Sequence, residues 1–151
     1  MKQSFALVLL VTVIVGVATV IAIQTFTSAS SADANLDAVR QDMASLAAAA
    51  RGYQMRPVAL GGGGGVFSGI TFRKIVFKTD SIHPGDLLSH NSNGSYVLAA
   101  TDSSVSITAF PANRPGHVPG DTAGASLNVV VTEESIIWVR IEPDSTDAAA
   151  L

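Results

Sequence analysis

Apolar residues run unbroken from Phe5 to Ile23, FALVLLVTVIVGVATVIAI, 19 residues whose only polar side chains are Thr12 and Thr19. As a helix this stretch is about 28 Å long at 1.5 Å per residue, close to the roughly 30 Å thickness of a bilayer's hydrocarbon core. Eleven of the 19 are Val, Ile or Thr, poor helix formers in water, so the segment needs lipid or protein all round it. The pattern then changes. Across residues 25–32 lies the small polar stretch TFTSASSA, and beyond it Leu36, Val39, Met43, Leu46, Ala50 and Tyr53 recur at spacings of 3, 4, 3, 4 and 3. One apolar stripe therefore runs along an amphipathic helix, and Leu36, Val39, Met43, Leu46 and Tyr53 are expected to pack it on a sheet. Asp33 is read as its N-cap, and Pro57 ends it because Arg56 is pushed out of helical geometry. Ser and Thr in residues 24–32 either continue the helix or compete with its backbone bonds; both a continuous and an interrupted helix stay open.

Gly61 to Gly65 follow as five consecutive glycines, a loop by backbone entropy, either flexible or tightly turned. No Lys-Ser/Thr follows at Walker spacing, which removes a phosphate cradle. Strand patterns come next at residues 66–78, 95–101, 104–110, 126–132 and 135–142. Turns are expected at Asn93-Gly94, Asp102-Ser103 and Glu133-Glu134. This predicts an antiparallel meander in an α+β fold: residues 1–32 an apolar helix and polar hinge, 33–60 an amphipathic helix, 61–65 a glycine loop, 66–143 a β head, 144–151 a mobile tail. Trp138 is expected in the core or at an interface.

Composition sharpens this division. The chain has 151 residues, 48% hydrophobic but only 14% charged, against roughly 25% charge in an average globular domain. Lys2 is the only ionisable side chain before Asp33, so residues 33–151 carry 8 of the 9 basic and all 12 acidic groups, a balance of −4. The charge deficit belongs to the leader. A basic start followed by a translocated acidic part is the orientation that the positive-inside rule gives. The leader's length exceeds the 7–15 residue core of a cleaved signal, although Ala29 to Ala32 is small enough for a cleavage site; a single-span anchor is the second reading. Weak acidity speaks against a nucleic-acid partner.

Candidate chemistry is sparse. His83, His90 and His117 are placed in loops without metal-ligand spacing. Asp80, Asp86, Asp102 and Asp121 lie in Gly/Ser/Asn-rich loops that match no calcium signature, which leaves Ca²⁺ as a minor reading. Ser, His and Asp occur without a nucleophile elbow, and no enzyme or cofactor is expected. Asn93-Gly94-Ser95 fits the N-glycosylation pattern, but its turn role suffices.

The stretch GVATVIAIQTF, Gly16 to Phe26, and the segment AVRQDMASLAAAARGYQMRPVALGGGGGVFSGI, Ala38 to Ile70, together with the order of elements, resemble type IV pilins and type II secretion pseudopilins. The resemblance covers the first 70 residues. It implies a long N-terminal helix stored in the inner membrane and then buried in the core of an extracellular helical filament of identical subunits, with the assembly machinery as partner and a β-rich head outside. The residues it places in membrane or filament core are Phe5, Leu7, Leu9, Leu10, Val13, Ile14, Gly16, Val17, Val20 and Ile21. Gly16 stands where pilins often loosen the helix. Gln24 replaces a frequent helix-breaking proline, which favours continuity. The early glutamate of pilins is absent, since no acidic residue precedes Asp33. Ser4-Phe5 could be a prepilin-type cleavage point. A membrane-anchored periplasmic or surface binding module that stays monomeric is the alternative; a secreted domain released by signal cleavage is the third.

Overall fold

The computed structural model describes residues 2–113, 118, 120, 122 and 126–141. It contains one long helix, α1 (Lys2–Met55), a short 3₁₀ turn (Val58–Leu60) and six strands: β1 (Ser81–Ile82), β2 (Leu88–His90), β3 (Gly94–Ala100), β4 (Ser104–Pro111), β5 (Ser126–Thr132) and β6 (Ile136–Ile141). The strands form a single antiparallel sheet in chain order. The α+β layout and the meander match expectation. Two compact units are distinguished, Met1–Ala34 and Asn35–Leu151.

The helix does not break at the polar stretch. Thr25 and Thr27 turn their hydroxyls back to the carbonyls of Ile21 and Ile23, each at 2.9 Å, and Ser31 does the same to Thr27. These hydroxyls are thus satisfied inside the helix rather than competing with it. Asp33 is therefore no N-cap; it lies exposed within α1. Pro57 stops the helix as expected.

In the second unit, Val39, Met43, Leu46, Ala47, Ala50 and Tyr53 are buried on one side of the helix, while Leu36 is half-buried at the stripe's start. They share one core with Tyr96 and Leu98 of β3, Val105, Ile107 and Ala109 of β4, and Val129 and Val131 of β5. The register places these on one sheet face: Leu98 opposes Ile107, which opposes Val129. The other face carries a polar patch on β4 and β5, where the Asn128 amide donates to the hydroxyls of Ser106 and Thr108, both at 2.8 Å.

The glycine run is a tight turn that closes the end of α1. The amides of Gly63, Gly64 and Gly65 donate to the carbonyls of Tyr53, Arg56 and Gln54 at 2.8–2.9 Å. A helix leaves its last carbonyls without partners, and these bonds supply them. The path is too close for side chains: a Cβ on Gly62 would overlap the Arg56 carbonyl, and one on Gly63 the Val66 carbonyl.

Residues 66–78 correct the sequence reading, since they form turns and not a strand. Phe67, Ile70, Phe72 and Ile75 are buried whereas Val76 is 86% exposed, a spacing that no strand produces. The amides bond instead to loop carbonyls, Phe67 to Asp102 at 3.0 Å and Phe72 to Asp86 at 2.9 Å. Gly69, at φ +74°, lets the chain reverse within the segment. The sheet's first edge is built by β1 and β2, two short strands that lacked a hydrophobic pattern.

The hairpins at Asp102-Ser103 and Glu133-Glu134 share one design. Thr101 and Thr132 each donate a backbone N–H to the carbonyl of Ser104 or Ser135 at 2.8 Å, and accept that serine's N–H on the side-chain oxygen at 3.1 and 3.0 Å. The threonine hydroxyl takes over an amide that the tight turn would leave open.

Candidate assembly surface

Two apolar surfaces and one polar clamp make up the candidate machinery. On the first unit, Leu10, Val13, Ile14, Val17, Val20 and Ile21 are each 53–61% exposed, and Gly16 has nothing near the position of its missing Cβ. Phe5, Leu7 and Leu9 lie in the same helix, with side chains outside the described set. The exposure wraps the helix: Val11 and Val15 are as open as their neighbours. By length and composition α1 is able to cross a membrane.

Beside the shared apolar core, a polar cluster that sequence reasoning missed ties the head to α1. One carboxylate oxygen of Asp42 accepts three hydrogen bonds: from the Tyr96 hydroxyl at 2.7 Å, the Asn93 amide at 2.8 Å and the Asn91 amide at 2.9 Å. Asn35, two turns earlier, donates to the Asn93 carbonyl at 3.0 Å. The turn is rigid in itself, because the Asn91 side-chain oxygen accepts the N–H groups of Asn93 and Gly94. Burial pushes the fully enclosed Tyr96 hydroxyl far above the ordinary phenol range, and its bond to the Asp42 carboxylate adds to the shift. The signal available in the sequence was a carboxylate at i+3 from Val39 and i−4 from Leu46, on the apolar face. The same contacts bear on the glycosylation pattern: the Asn93 amide is engaged by Asp42, and Ser95 is buried.

The second apolar surface is β6, the last strand of the sheet. Ile136 and Trp138 oppose Val131 and Val129 on the core face, yet they are 39% and 49% exposed. Ile137 and Val139 on the other face are also open. Trp138 is thus not a core residue of the subunit, because it sits on an edge strand whose core face is left uncovered.

Apart from the neighbouring rings of His83 and His90, the remaining polar candidates are dispersed. Asp86 pairs with Arg73 at 2.7 Å, while Asp80 and Asp102 are exposed. His117 and Asp121 lie outside the described residues, as does the tail 144–151. His90 belongs to β2 and not to a loop. Among the described residues no group of three or more His, Asp or Glu could hold a metal ion. No known protein family, curated protein or solved structure shows a significant match to this chain.

Proposed function

We propose that the chain is a structural subunit of a pilin-like extracellular filament, held in the inner membrane before assembly and polymerised by burying its N-terminal helix against identical helices. The observation that carries this reading is the unbroken helix Lys2–Met55, whose described apolar side chains, from Leu10 to Ile23, are exposed all round it. Each exposed Leu, Ile or Val in water forgoes roughly 1.5–3 kcal/mol of burial. About a dozen such residues leave two homes, lipid or a bundle of the same helices, and a subunit with this surface passes from one to the other without meeting water. Contacts that repeat head to tail without closing give a helical polymer. Because no carboxylate precedes Asp33, subunit contacts along the apolar half rest on packing and not on an ion pair.

Electron microscopy of sheared surface material tests the proposal. A regular fibre built of this chain is the expected outcome; tight membrane retention with no fibre would instead assign a single-span anchor carrying a monomeric head. Val15→Asp should abolish fibres by burying an unpaired carboxylate, and normal fibre yield from that variant would refute the buried-helix reading.

A further inference from the structure

The β1–β2 ladder brings two imidazoles together that the sequence separates by seven positions. Ser81 opposes His90 and Ile82 opposes Ser89, so His83 stands diagonally from His90 on the same sheet face. The ring centres are 5.5 Å apart. Each ring holds one nitrogen that is shut off from solvent and has no hydrogen-bond partner, Nε2 of His83 and Nδ1 of His90. Buried polar atoms are normally satisfied, so two orphaned nitrogens on neighbouring rings ask for a common partner.

We propose that His83 and His90 form a two-imidazole site for a divalent late transition-metal ion such as Zn²⁺. With metal–nitrogen bonds of about 2.0–2.1 Å, each ring centre stands roughly 3.2 Å from a shared ion, so two such rings lie at most about 6.4 Å apart. The observed 5.5 Å falls inside that limit and corresponds to an open angle of roughly 120° at the ion. Neutral imidazole suits Zn²⁺, Cu²⁺ and Ni²⁺ and does not suit Ca²⁺ or Mg²⁺. Gly120 packs against this edge of the His83 ring without a side chain, and a Cβ there would come within 2.5 Å of Nε2. The amide of Gly120 is in turn held by the Ser95 hydroxyl at 3.0 Å, from the residue opposite His90. Two protein ligands leave the other positions to water, so the site clips the first hairpin of the head and does not activate a substrate.

The test is calorimetric titration of the untagged full chain in detergent with ZnCl₂ at about pH 7.5, where metal binding does not compete with excess protons. One ion per chain is expected, with a rise in the thermal midpoint. His83→Gln and His90→Gln should each weaken binding by roughly tenfold or more, while His117→Gln, at the third histidine of the chain, should leave it intact. Gly120→Ala, which keeps all three histidines, should also weaken it by crowding the Nε2 edge of the His83 ring. Absence of binding in the natural chain, or binding that survives both His83→Gln and His90→Gln, would overturn the proposal.

Discussion

Replacing Asp42 with alanine removes the acceptor at the centre of the contact between α1 and the sheet. Three donors lose their partner, at 2.7, 2.8 and 2.9 Å. A hydrogen bond to a charged group contributes about 1.5–3 kcal/mol, and a buried donor left without a partner costs about 1–3 kcal/mol. The three bonds share one oxygen, so they do not add. Tyr96 is fully buried and suffers the full loss, whereas Asn91 and Asn93 are half-exposed, and water replaces part of theirs. Alanine returns roughly 0.5 kcal/mol in helix propensity. The net expectation is about 3–4 kcal/mol of destabilisation, or a fall of roughly 12–30 °C in Tm for a domain of about 100 residues. Urea unfolding of the full chain in mild detergent, followed by near-ultraviolet circular dichroism, measures it. Tyr96→Phe removes one donor and keeps the other two, so it should cost only about 1 kcal/mol. The double variant should be less unstable than the sum, with a coupling of about 1 kcal/mol or more. An Asp42→Ala loss of less than about 1 kcal/mol in urea, or a Tm within about 4 °C of the natural chain, would refute this account of the cluster.

The glycines offer a paired comparison. Gly63→Ala drives a Cβ into the Val66 carbonyl and to 3.0 Å from the Tyr53 ring, and should destabilise the head by about 2–4 kcal/mol in the same assay. Gly52→Ala sits on an exposed helix position with nothing near the new methyl, and should stabilise by about 0.5–1 kcal/mol. Tyr96 predicts an alkaline limit. Its folded pKa lies above the unfolded value of about 10, so the folded state holds the proton more tightly. The associated stability is complete below about pH 10 and is lost as pH rises above it. Phenolate absorbance of a Tyr53→Phe variant should appear only together with unfolding; a phenolate formed in the folded head would contradict the burial of Tyr96.

Sequence pattern alone determined the elements whose cause is local. The stripe from Val39 to Tyr53 marked the buried helix face, since a period near 3.6 survives any tertiary context. The stop at Pro57, the strands β3 to β6 and their hairpins were legible for the same reason. The need of Phe5 to Ile23 for lipid or protein all round it followed from composition, because the stretch has no polar face to turn to water.

Tertiary structure decided what depends on partners distant in the chain. Residues 66–78 alternate like a strand, yet their amides bond to Asp102 and Asp86, and Phe72 stacks toward Phe77 at a ring distance of 6.0 Å. Asp33 carries the chemistry of a cap but has no helix end to cap, because the hydroxyls before it are satisfied inside α1. Asp42 becomes a clamp only when the turn at Asn91–Gly94 and Tyr96 are folded against it, some 50 residues further on. His83 and His90 meet only through the register of two short strands that no hydrophobic pattern announced. Periodicity reports which side of an element is buried; it holds no information on which polar atoms will face each other once the sheet is paired.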